Sequence, residues 1–143
     1  RMRIGEYRRV VLKPNEREAL RGIGAEVQGE ITLEAAEAAG RTLSERSGRP
    51  VFVTVGERGI LLCTQEDCQR IPAVPVTGEI DIVGAGDSTM AGIVSGLCCG
   101  AAPAEAALLG NLVASVTIRC LGTTGTASQE EVLDALALWR GGR

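Results

Sequence analysis

The chain has 143 residues, 45% of them hydrophobic and 23% charged, with a formal net charge of −3; that is one domain's worth of sequence with enough apolar content for a core, which excludes disorder. Fifteen Lys and Arg against 18 Asp and Glu leave no positive excess for a phosphate backbone, and the three aromatics (Tyr7, Phe52, Trp139) offer no stacking platform, so no nucleic-acid partner is expected. Histidine is absent, which excludes a Ser–His or Cys–His catalytic pair and any imidazole-ligated zinc.

In chain order, the short β-rich run at 8–13 stops at Pro14 and reads as a strand. Residues 16–20 have helix-forming composition, with Asn15 placed as N-cap. A longer helix is predicted over 33–46, capped by Thr32, with Ile31, Ala35, Ala39 and Leu43 recurring every fourth residue and Gly48 as the stop. The nearly continuous apolar run at 50–55 predicts a strand covered on both faces. Gly56 and Gly59 bracket a tight turn, and residues 60–63 return as the second strand of a hairpin. Residues 70–76, interrupted by Pro72 and Pro75, read as an edge strand or irregular segment.

The remainder is predicted helical. One helix opens at Gly86-Asp87 and runs towards Cys99; the next begins at Pro103 and continues to about Arg119; a last one starts at the Ser128-x-x-Glu131 capping box and runs to Trp139. From Ser88 to Ile118 the only charge is Glu105, but Pro103 and Glu105 split this stretch. Two buried Gly/Ala-rich helices are expected there, with no membrane span. Alternating strands and helices followed by a helical cluster argue for an α/β fold with a mostly parallel sheet. The five cysteines form no C-x-x-C pair, no apolar signal segment opens the chain, and free, mostly buried thiols in a cytoplasmic protein are expected.

The densest chemical signal is the segment from Glu79 to Ser88. Small residues at Gly84, Ala85 and Gly86 permit close backbone approach to a ligand and lead into an apolar helix, whose first amides and dipole favour an anion such as phosphate. Asp87 places a carboxylate in the same cradle, although it would also complement a helix N-terminus. Asn15 and Glu18 put an amide and a carboxylate on one helical face, either as an ordinary cap or as holders of waters around Mg²⁺. Thr54, Gly56 and Gly59 end a buried strand, at the edge where open α/β sheets bind ligands, or simply form a hairpin turn.

Taken in order, Asn15-x-x-Glu18, Thr54-x-Gly56-x-x-Gly59 and Asp81-x-x-Gly84-Ala85-Gly86-Asp87 resemble the ribokinase-like (PfkB) carbohydrate and nucleoside kinase family. The small-residue segment 110–117 and the loop 122–126 are similar to the family's late helix and the loop after it. The resemblance implies a three-layer α/β/α fold of which residues 1–143 are the carboxyl-terminal, nucleotide-binding and catalytic-base half, without the amino-terminal sugar-binding and lid half. It implies ATP-dependent phosphoryl transfer to a sugar or sugar-phosphate hydroxyl. Asp87 would be the general base, and the Gly84, Ala85 and Gly86 amides the anion hole. Thr54, Gly56, Gly59 and Asn111 would contact the nucleotide, Asn15 and Glu18 would organise Mg²⁺ through water, and Asp81 with the Val83 carbonyl would bind a monovalent cation such as K⁺. Asp81 as a residue bonding the neighbouring loop backbone is the alternative. Ser88, Thr89 and Met90 depart from the Thr and aromatic usual after the signature Asp. The 122–126 ending is similar to that of members acting on heptose phosphates.

An exposed apolar sheet side predicts self-association of this portion, or a dimer of the full protein, and no kinase turnover by this portion alone. A non-catalytic nucleotide-binding or scaffold module, or a vitamin/hydroxymethylpyrimidine-type kinase of the same superfamily, are the alternative readings.

Overall fold

The computed structural model describes residues 3–141, which divide into two compact units, one up to Ile71 and the other from Pro72.

In the first unit, helix α1 (Glu16–Gly22) starts at Asn15, whose side chain accepts from the Glu18 amide at 2.8 Å while the Glu18 carboxylate accepts from the Asn15 amide at 3.0 Å. This reciprocal box satisfies two of the donors that every helix start leaves open. Helix α2 (Leu33–Ser47) is capped by Thr32 and stopped by Gly48 in the left-handed region, as its sequence predicts. Its buried stripe is Ala36, Ala39, Gly40, Leu43, Ser44 and Ser47, which is rotated from the predicted one, so Ala35 lies only at its margin. Strand β1 (Val51–Thr54) continues through a 3₁₀ turn at Gly56–Arg58 into β2 (Ile60–Cys63), and β3 (Cys68–Ile71) completes an antiparallel sheet of order β1-β2-β3. Val51, Phe52 and Val53 are all fully buried, which accounts for a strand sequence without alternation. Helix α2 lies on this sheet through Gly40, where a Cβ would stand 2.6 Å from the Cys63 sulfur and 3.0 Å from a Val53 methyl. Val51, Val53, Val55, Leu61, Leu43, Ala39 and Ala19 form the core.

Four expectations need correction here. Residues 8–13 do not form a strand; only isolated parallel bridges pair Leu12 with Val51 and Asn15 with Thr54. The Phe52 and Thr54 amides donate to the Leu12 and Pro14 carbonyls at 2.8 and 2.9 Å, but Pro14 has no N–H to return and the chain turns at once into α1. The parallel component of the sheet is therefore confined to these bridges among the described residues, and its regular ladders are antiparallel. The edge strand is β3, two residues earlier than predicted, and ends where Pro72 removes a ladder donor. Cys63 and Cys68 are not free thiols but a disulfide, because the turn between β2 and β3 sets them directly opposite in register.

In the second unit, residues 72–82 are irregular and helices α3 (Ala85–Cys98), α4 (Pro103–Thr117) and α5 (Gln129–Gly141) follow. The starts of α4 and α5 are the predicted ones, Pro103 opening α4 and Ser128 with Glu131 forming the box at α5, where the Ser128 amide donates to Glu131 at 2.8 Å, whereas α3 opens one residue before the predicted Gly86, with Gly84 as its N-cap. Gly100, at φ 82°, ends α3, and the Ala101 amide reaches back to the Gly96 carbonyl. Helices α3 and α4 approach closely through glycine: a Cβ at Gly92 would meet the Gly110 backbone at 2.8 Å, and one at Gly110 would meet the Thr89 carbonyl oxygen at 2.9 Å. Val74, Leu112, Val116 and Ala135, flanked by Leu108, Val132 and Trp139, form a second cluster. The expectation of two buried helices holds only in part. Helix α3 buries one stripe (Ser88, Thr89, Gly92, Ile93, Gly96) and leaves Met90 and Val94 exposed. Cys98 and Cys99 are exposed and Cys120 half-buried, since none lies on a packed stripe. No helix of the described residues is long and apolar enough to cross a membrane.

Candidate active site

The second unit carries the acid-and-glycine segment. The Ala85 amide donates to the Ile82 carbonyl at 3.1 Å, closing a turn in which Gly84 takes φ 80° and ψ −4°. These are the values of the third position of a type II turn, which disfavours any residue with a Cβ. Ala85 is thus spent on the turn and not available as an anion donor, a correction to the three-amide cradle. The Gly84, Gly86 and Asp87 amides donate to no acceptor among the described residues, and none of them enters a sheet. Asp87 is the third residue of α3; its carboxylate is exposed and makes no hydrogen bond among the described residues. An unpaired carboxylate thus stands in the same helical turn as amides that lack acceptors, and the helix dipole adds positive potential there.

Asp81 fixes the turn from below. One carboxylate oxygen accepts from the Val83 amide at 2.9 Å and the other from the Gly122 amide at 3.0 Å, while the Asp81 amide donates to Ile118. The two amide hydrogen bonds, Val83 first and Gly122 second, hold its carboxyl below the usual carboxylate range. This is the loop-bonding role left open by the sequence. Each oxygen keeps a further lone pair, and the Val83 carbonyl accepts no hydrogen bond among the described residues, so an all-oxygen donor set for a hard monovalent cation fits here. The loop after α4 also reaches Gly84, whose Cβ would stand 3.1 Å from a Thr124 methyl. Sequence reasoning named residues 122–126 only as a similar loop, and gave Gly122 and Thr124 no role. Asn111 is buried at 8% exposure and donates to the Pro72 carbonyl at 2.9 Å. This bond ties the Asn111 side chain to the segment before α3, as a buried amide requires a partner.

The first unit brings two other motifs together. The Thr54 amide and hydroxyl both reach the Pro14 carbonyl, at 2.9 and 3.4 Å, which sets the Thr54-x-Gly56-x-x-Gly59 loop beside Asn15. Gly56 adopts φ 60° and Gly59 φ 99° with ψ −133°, conformations open to glycine. The Asn15–Glu18 box supplies two oxygen-bearing side chains, each with one oxygen already accepting a helix amide. Among the described residues no three acidic, Cys or His side chains cluster for a metal. The donor set fits Mg²⁺ held through its waters rather than in a protein cage.

Residues 10–130 match the pfkB family carbohydrate kinases. The chain belongs to that family. It is 32% identical over 130 residues to the bifunctional protein HldE of Pelobacter propionicus, covering 90% of this chain and 26% of that protein. Ribokinase from Thermotoga maritima superimposes with a TM-score of 0.78 at 25% identity, over 96% of this chain and 45% of the other. Ribokinase from Arabidopsis thaliana, solved with ribose and ATP, gives 0.77 at 24% identity over 88% and 40%. The chain therefore has the ribokinase-type α/β fold and spans about a quarter of the length of the curated relatives it matches.

Proposed function

We propose that the full-length protein is an ATP-dependent carbohydrate kinase, with this chain supplying the base and the phosphate cradle. The observation that carries the reading is the exposed, unpaired Asp87 in the first turn of α3, beside the acceptor-free amides of Gly84, Gly86 and Asp87 itself. Phosphoryl transfer asks for positioning and charge stabilisation, with little covalent work by the protein. Asp87 takes the proton of the acceptor hydroxyl; the resulting oxygen bonds to the γ-phosphorus, and the bond to the β–γ bridging oxygen breaks, releasing ADP. The amides of Gly84, Gly86 and Asp87 donate to the transferring phosphoryl oxygens, an effect worth roughly 10²–10³ in rate per donor. Thr54, Gly56 and Gly59 contact the nucleotide. Asn15 and Glu18 would hold Mg²⁺ through water, and Asp81 with the Val83 carbonyl would hold K⁺; bound cations of this kind neutralise charge on phosphate oxygens.

The family membership and the ATP and ribose of the Arabidopsis ribokinase support this reading. The acceptor is a hydroxyl of a sugar or sugar phosphate. The full-length protein, incubated with radiolabelled ATP, Mg²⁺ and a panel of sugars and sugar phosphates, is expected to transfer label to at least one acceptor. ATP binding without transfer to any of them would favour a non-catalytic nucleotide-binding module.

A further inference from the structure

Arg58 sits between the two glycines of the Gly56–Gly59 loop, where an arginine ordinarily reads as a solvated turn charge. Here its side chain is only 30% exposed, and its fork is divided among three segments. Nη2 donates to the Glu16 carboxylate at 3.3 Å, Nη1 to the Ile31 carbonyl at 3.1 Å, and Nε to the Val55 carbonyl at 3.4 Å. Glu16 is the first residue of α1 and is itself 27% exposed, and Ile31 precedes the cap of α2. The loop's own bonds, Val55 to Gly59, Gly59 to Gly56 and Arg58 to Val55, fix its internal shape. Past the strands at its ends, its hydrogen bonds to α1 and to the chain before α2 all come from this side chain, among the described residues.

We propose that Arg58 is a positioning residue: it clamps the Gly56–Gly59 loop to the start of α1, holding the loop backbone in register with the Asn15–Glu18 corner that it borders. The inference rests on the reading of that loop as a nucleotide contact. A glycine-flanked loop without this clamp has backbone freedom that nucleotide binding must then remove. The planar guanidinium serves three acceptors at once, which a lysine ammonium on a flexible stem does not reproduce.

The test uses the full-length protein with Arg58→Met, Arg58→Lys, Glu16→Gln and the Arg58→Met/Glu16→Gln pair, alongside Asp87→Asn. For Arg58→Met, the KM and the calorimetric Kd for ATP are expected to rise about tenfold, a loss of about 1.4 kcal/mol, with kcat and the acceptor KM nearly unchanged. Arg58→Lys recovers only part of the loss, and the double variant is no worse than Arg58→Met, since one interaction is removed twice. An unchanged ATP Kd in Arg58→Met, additive losses in the double variant, or a Tm loss with equal effects on both substrates would overturn the proposal. Loss of turnover in Asp87→Asn together with an unchanged ATP Kd in Arg58→Met leaves the base assignment standing and overturns this inference alone. Turnover retained by Asp87→Asn overturns the base assignment, and the ATP Kd then decides Arg58 independently.

Discussion

Replacing Gly92 by alanine tests how α3, and with it Asp87, is held. A Cβ at position 92 would lie 2.8 Å from the Gly110 Cα, 2.9 Å from the Leu109 carbonyl oxygen and 3.0 Å from the Gly110 nitrogen. All three atoms are α4 backbone, so no rotamer change relieves the contact and the two helices must part. Overpacking of this kind costs about 1–3 kcal/mol, while alanine's better helix propensity returns about 1 kcal/mol. Since every contact is to backbone, the upper part of that range applies, and a net loss of about 1–2 kcal/mol is expected. Gly96 provides the internal comparison: its Cβ would meet the Ala106 Cα and Cβ at 3.1 and 3.2 Å and the end of the Leu109 side chain at 3.5 Å. A shift of a few tenths of an ångström suffices there, and Gly96→Ala is expected to be close to neutral. Both variants make the same chemical change in the same helix, so unfolded-state effects largely cancel in the difference. Urea denaturation followed by far-ultraviolet circular dichroism should lower the Gly92→Ala midpoint by about 0.5–1 M and leave Gly96→Ala nearly in place. A Gly92→Ala protein as stable as the parent, or a Gly96→Ala protein that is the weaker of the two, would refute the reasoning.

Two further predictions concern the turn before α3. Asp81 accepts two amides and is held below the usual carboxylate range, so its contribution to stability is present above the unfolded carboxylate pKa, about 4, and is lost as pH falls through its lower folded value. Asp81→Asn should therefore flatten the acid limb of the stability–pH curve, and an acid limb that superimposes on the parent's would contradict the assignment. Gly84→Ala forces a Cβ into φ 80° and to 3.1 Å from Thr124, which should cost about 1–2 kcal/mol. Urea midpoints measure the cost; parental stability in this variant would mean that the turn does not need its left-handed residue.

Most of the local architecture was legible in the sequence because it is written in short-range chemistry. Thr32 and Gly48 bound α2 and Ser128 with Glu131 opens α5, each by a hydrogen bond to nearby backbone, and Pro103 opens α4 where its missing N–H leaves nothing unsatisfied. Long-range pairing was less legible. The 8–13 run has the composition of a strand, but Pro14 and the immediate start of α1 leave it only two bridges. The pairing of Cys63 with Cys68 follows from the β2–β3 register, which spacing alone does not state. In the candidate site, the glycines and Asp87 announced themselves through composition. The commitment of the Ala85 amide to a turn, the inward Asn111 and the Gly122 and Thr124 contacts depend on how the loop after α4 and residues 72–84 return to the helices. Arg58 carried no signal, because its role lies in acceptors 27 and 42 residues away along the chain.

The central claim is that the carboxylate of Asp87 removes a proton beside a backbone phosphate cradle. Asp87→Asn keeps the side chain's shape and removes its basicity. In the full-length protein, kcat at saturating ATP and acceptor should fall by roughly 10²–10⁴. The ATP dissociation constant, measured by calorimetry on the same preparation, should stay within about threefold of the parent. A variant that binds ATP normally and still turns over at the parental rate would contradict the account.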